Sequence, residues 1–190
     1  MKRILIGLIA IVLTIALVGT GVWAHPNDAE PGTPDLKIRD HPGPWQDGVS
    51  GDWKMSNMAP GDETFGKVEL HIKGNHHKSH LEITCDYTVS DPSLVDEMAK
   101  VMVITLMRYY KGAQHVDLLT KVEDVDGDGK ISLYDLKYSQ GGNGVDNLLS
   151  PYGVWHFEMK IKFDESAGNE FQGKTLDLTV IFILNQDVTQ

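Results

Sequence analysis

The sequence predicts an all-β protein: an antiparallel β-sandwich with a short insertion that carries a helix and a calcium loop. Two observations predict it. Four segments alternate apolar and polar residues with a period of two, the pattern of strands buried on one face only. One segment, residues 124–136, "DVDGDGKISLYDL", instead spaces its aspartates as a calcium loop does and leads into helical spacing.

The chain has 190 residues, enough for one domain with a substantial core. Residues 1–24 stand outside that domain. Lys2 and Arg3 precede an apolar run from Ile4 to Val18, and Val22 and Ala24 occupy the positions a signal peptidase reads. The segment predicts a secretory signal cleaved after Ala24, with an uncleaved membrane anchor as the alternative. The β-sandwich domain then spans 25–190. Removal of Lys2 and Arg3, two of the 17 basic residues, leaves 15 against 27 acidic ones and moves the net charge from −10 to −12. That balance disfavours nucleic acid and anionic lipid and favours cations. Contact with a membrane is expected only through the signal segment. The single cysteine, Cys85, excludes an internal disulfide, so core, metal or assembly must stabilise the protein outside the cell.

Residues 25–35, "HPNDAEPGTPD", form a proline-bearing extended arm. "LKIR" is a short strand, followed by the irregular "DHPGPWQDGVSGD". In "KVELHIK", Val68, Leu70 and Ile72 share a face. In "LEITCDYTV", Leu81, Ile83, Cys85, Tyr87 and Val89 point one way. In "WHFEMKIKF", Trp155, Phe157, Met159, Ile161 and Phe163 do the same. The last strand, "LDLTVIFIL", buries Leu176, Leu178, Val180, Phe182 and Leu184, and its outer face also turns apolar at Ile181 and Ile183. Those two isoleucines are expected to meet either the protein's own loops or another subunit. Two sheets packed face to face bury such faces most simply.

Residues 92–150 read as an elaboration on one edge of the sandwich. "SLVDEMAKVM" has helical spacing with Ser93 at its N-cap. "VITLMRYY" is a strand apolar on both faces, hence central. "HVDLLTKV" is a further strand candidate, and "YSQGGNGVDNLLSPYG" reads as loop with one helical turn.

A calcium loop of twelve residues places oxygen ligands at positions 1, 3, 5, 7, 9 and 12. Counted over 124–135, these are Asp124, Asp126, Asp128, Lys130, Ser132 and Asp135. Position 7 binds through its carbonyl, so Lys130 is acceptable there, and position 9 often acts through water, which suits Ser132. Position 6, which turns sharply, is Gly129, and the apolar Ile131 at position 8 can anchor the loop to the core. Four carboxylates so close repel one another without a cation. Calcium is therefore the expected cofactor. The loop is similar to those of dockerins and EF-hands, and departs from the EF-hand pattern by ending in Asp135 rather than glutamate. It has no second loop to pair with, which points to a structural site rather than a switch.

His71, His76, His77 and His80 in "HIKGNHHKSH" are a candidate transition-metal cluster, against a polar hairpin turn as the plainer reading. The chain has no HExxH, no GxSxG and no phosphate-binding glycine loop, and Cys85 falls on an inward face. No catalytic constellation is assembled, so no enzyme activity is expected.

Three stretches carry a family resemblance. They are the signal junction "ALVGTGVWAHPNDAEPGTPDLKI", the run "SNMAPGDETFGKVELHIKGNHHKSHLEITCDY", and the terminal "NEFQGKTLDLTVIFILNQ". In their order and position they resemble the secreted matrix-fibre proteins related to TasA and camelysin, and the archaeal bundling pilins. The resemblance implies a jelly-roll β-sandwich secreted to the cell surface or extracellular matrix. It also implies homopolymeric filaments, as in pili and biofilm matrix, in which the N-terminal arm of one subunit adds a strand to the next, head to tail. Pro26, Pro31 and Pro34 remove donors from the arm, which places the useful part of a donor strand at "DLKIR", residues 35–39. The alternatives are a monomeric calcium-binding recognition module at the cell surface and, since camelysin relatives are labelled so, a secreted metallopeptidase.

Overall fold

The computed structural model describes residues 10–18, 35–46, 48–49, 58–73, 79–149 and 153–186. In chain order the elements are β1 (Ala10–Val18), β2 (Asp35–Arg39), β3 (Gly48–Val49), β4 (Glu63–Lys73), β5 (Ser79–Val89), α1 (Val95–Lys100), β6 (Met102–Lys111), β7 (Gln114–Asp117), α2 (Leu133–Tyr138), β8 (Val145–Leu149), β9 (Gly153–Phe163) and β10 (Thr175–Gln186). Short 3₁₀ turns lie at Pro92–Leu94, Leu119–Lys121, Ser139–Gly142 and Asn169–Phe171.

The strands make two five-stranded sheets, ordered β3-β1-β10-β5-β8 and β2-β4-β9-β6-β7. Every named pair is antiparallel except β1 with β10. From β2 to β10 each successive strand crosses to the other sheet, the β6–β7 hairpin excepted. That winding is of the jelly-roll type, and the expected all-β sandwich with a small helical insertion is what forms.

The alternation explains the core. Val68, Leu70 and Ile72 of β4, Leu81, Ile83, Cys85 and Tyr87 of β5, Trp155 to Phe163 of β9 at every second residue, and Leu176 to Leu184 of β10 likewise are all buried. Phe157 and Phe182 meet edge to face between the sheets, with ring centroids 5.1 Å apart. Cys85 donates to the Leu133 carbonyl at 3.4 Å, and burial pushes its thiol pKa far up, as suits inert packing.

The structure revises several local expectations. Residues 92–150 are not one insertion: β6 lies between β9 and β7, and β8 extends the other sheet, so the addition proper is the stretch between β7 and β8. "VITLMRYY" does not bury both faces. Met102, Ile104, Met107 and Tyr109 are buried, and the change of parity coincides with a register shift between Ile104 and Leu106. The bulge moves the apolar positions from even to odd, which in sequence looks like two apolar faces. Asp91, not Ser93, caps the turn before α1, its carboxylate accepting from the Ser93 backbone N–H. Residues 145–149, read as loop, form β8, and only 115–117 of "HVDLLTKV" are strand, within β7. Residues 35–39, offered as a donor strand, are already paired with β4 as β2.

The cleavage site after Ala24, the arm at 25–34, His76 and His77 lie outside the described residues. Residues 10–18, part of the apolar run Ile4–Val18 that the sequence reads as a secretory signal, run parallel along β10 from Thr175 to Ile183. No helix among the described residues is long and apolar enough to cross a membrane.

Candidate functional site

The acidic loop is suspended between three parts of the sandwich. Its position-8 residue, Ile131, accepts at 2.7 Å from the Ile104 backbone N–H, and Ser132 bridges Val103. This pairing uses the first half of β6, which β7 leaves unpaired because β7 reaches only Arg108–Lys111. A strand thus takes the place that a second loop holds in paired calcium modules. Lys130 pairs through its ammonium with Asp164 in the β9–β10 turn. Behind the loop, α2 buries Leu133 and Leu136 in the core.

Within the loop, ligand atoms of Asp124, Asp126 and Asp128 lie within 4.8 Å of one another. Asp124 accepts from the backbone N–H groups of Gly127 at 2.8 Å and Gly129 at 2.9 Å. Asp128 accepts from that of Lys130 at 2.8 Å. These bonds turn the chain around the three carboxylates, and Gly129 has the positive φ, 83°, that the tight turn requires. Burial raises the Asp126 pKa, and the neighbouring Asp128 and Asp135 raise it further.

Ser132 and Asp135 are brought to the same loop in another role. Asp135 is fully buried, and its carboxylate accepts from Val125 N–H at 2.8 Å, Ser132 N–H at 2.8 Å and Ser132 Oγ at 2.6 Å. The Asp135 N–H donates back to Ser132 Oγ at 3.3 Å, completing a capping box for α2. The pair closes the loop, tying its second residue to its ninth, while Asp124, Asp126 and Asp128 line the mouth. A carboxylate oxygen has lone pairs beyond one hydrogen bond, so Asp135 keeps capacity for a cation. The donor set is all oxygen, which suits a hard cation such as calcium.

The histidines separate. His71 lies on β4, its ring 5.5 Å from that of Trp45, with Nδ1 buried and without a hydrogen-bond partner. His80 lies on β5 in the other sheet, where its Nε2 stands 3.5 Å from Glu82 Oε1 and 3.3 Å from Asp146 Oδ1. Ligand atoms of His80, Glu82 and Asp146 fall within 4.8 Å of one another. Sequence reasoning missed this group because Glu82 reads as an outward strand residue and Asp146 as loop. The period-two pattern, which sends both His80 and Glu82 outward on β5, was the signal available for half of it.

No curated protein matches the chain. A family model described as camelysin metallo-endopeptidase matches residues 1–190. That description implies a metal, and the described residues offer two sets that fit one: the three loop aspartates, and His80 with Glu82 and Asp146. With the β-sandwich and these donor sets in view, the chain belongs to the camelysin/TasA family.

Proposed function

We propose that the protein is a secreted structural subunit of extracellular or surface filaments, joined by strand addition and stabilised by calcium. The pairing of residues 10–18 along β10 carries this reading. In the sheet order β3-β1-β10-β5-β8, removal of β1 with the signal segment leaves β10 as an open edge beside half-buried Ile181 and Ile183. An open edge of nine backbone positions beside apolar side chains attracts another strand. Since 35–39 are held in β2, the donated segment is the arm at 25–34 of the neighbouring subunit, in which residues 27–30, between Pro26 and Pro31, keep their backbone N–H groups for pairing. Arm and acceptor edge are different surfaces, so the contact propagates head to tail. Calcium in the 124–135 loop holds the β9–β10 turn through Lys130 and Asp164, next to the strand that accepts the neighbour.

Electron microscopy of the mature protein, with millimolar calcium and with chelator, tests the proposal. Filaments are expected, sturdier with calcium. A protein that stays monomeric in light scattering under all conditions overturns it and leaves the recognition-module reading. Proteolysis of unstructured peptides that requires metal would favour the metallopeptidase reading instead.

A further inference from the structure

We propose a second metal site, for a divalent ion of the zinc type, formed by His80 Nε2, Glu82 Oε1 and Asp146 Oδ1 on the outer face of the β10-β5-β8 sheet. It is separate from the acidic loop and independent of the filament reading. Three observations carry it.

The first is the spacing. Two donor atoms bound at about 2.0–2.1 Å to a tetrahedral ion stand about 3.3 Å apart. His80 Nε2 lies 3.3 Å from the Asp146 oxygen and 3.5 Å from the Glu82 oxygen. Both separations are close to that ligand spacing.

The second is how the strands bring Asp146 there. His80 pairs with Leu149, Leu81 with Leu148 and Ile83 with Val145, so Asp146 and Asn147 together face the single residue Glu82. This is a β-bulge, which re-aims a side chain at the expense of the ladder. It forces Asn147 to φ 56°, a left-handed conformation that non-glycine residues seldom adopt. Asp146 Oδ1 also accepts from the Asn147 backbone N–H, and its Oδ2 from the Asn147 side-chain amide at 3.0 Å. The bulge is thus braced around the carboxylate that completes the group.

The third is charge and chemistry. Glu82 and Asp146 bring two carboxylates within 4.8 Å of each other and of the His80 ring nitrogen, so the two acidic groups repel as they stand. A dication with neutral His80 balances them. Imidazole selects zinc and its transition-metal neighbours over calcium. The Asn185 amide donates to Glu82 Oε1 and holds that carboxylate in place, while the fourth position on the ion is left for water.

The test uses untagged full-length mature protein titrated with zinc, and with cobalt as a spectroscopic probe. One equivalent should bind, with the intense visible absorption of four-coordinate cobalt. It should survive Asp124→Ala with Asp128→Ala, and also His76→Ala with His77→Ala. Affinity should fall at least tenfold in His80→Ala and in Asp146→Asn. Circular dichroism checks that each variant is folded, and Asp146→Asn keeps the side-chain shape if His80→Ala does not fold. Zinc binding unchanged in folded Asp146→Asn, or lost with His76 and His77 instead, overturns the proposal. So does cobalt that binds only with the weak absorption of an octahedral complex.

Discussion

Lys130 acts through two different parts of the same residue. Its carbonyl stands at position 7 of the acidic loop, and its ammonium reaches Asp164 in the β9–β10 turn. The ammonium, followed by the Ser166 backbone N–H, holds the Asp164 carboxyl well below its ordinary 3.8, at about 2. A depressed carboxyl contributes stability that is complete above about pH 3.8 and is lost as pH falls through about 2. Lys130→Met removes the largest cause, so its acid loss of stability should begin nearer pH 4 than in the parent. Melting temperatures between pH 2 and 5 check this, and overlapping curves would mean that the ion pair adds nothing. At the sandwich centre, Phe157→Ala removes the ring that meets Phe182, and should cost about 3–5 kcal/mol in denaturant unfolding.

The elements around the loop separate metal binding from folding. Ser132→Ala removes the α2 cap and should cost about 1 kcal/mol, with or without calcium. Asp124→Ala with Asp128→Ala should abolish the response of melting to calcium. At millimolar calcium the parent should gain on the order of 1 kcal/mol, if the site binds as extracellular modules do. A double variant whose melting still follows calcium would place the main site elsewhere. Gly144 tests the join between this region and β8. A Cβ there would lie 2.2 Å from the Ile83 carbonyl oxygen, at φ +69°, so Gly144→Ala should destabilise β8 and with it the bulge at Asp146.

At the scale of the whole molecule, the open question of strand addition reduces to one edge and one arm. Deletion of residues 25–34 leaves β2 and its pairing with β4, so it should give folded monomers that no longer extend filaments. The same monomers should still be incorporated at one filament end, because their β10 edge is unchanged. Incorporation assays with labelled deletion protein check both outcomes. Fibres of normal length from the deletion variant alone would show that the arm is not the donor.

Much of this architecture is legible in the sequence because its signals are local. A period of two marks the buried faces of β4, β5, β9 and β10, and the spacing of Asp124, Asp126, Asp128 and Gly129 is dictated by how one short segment wraps an ion. Residues 145–149 carry no alternation because a bulge interrupts them, and β6 hides its parity change for the same reason. His80 and Glu82 are neighbours on one strand, but Asp146 reaches them only through β5–β8 pairing. Ser132 and Asp135 likewise show as ligand positions in sequence, and as a capping box only once α2 is folded. The sequence by itself determined the sandwich, the acidic loop and the absence of an internal disulfide. Tertiary structure decided that β1 lies along β10, that β2 is paired with β4 and which of the clustered histidines meets carboxylates, because register and pairing are set by contacts between residues far apart in the chain.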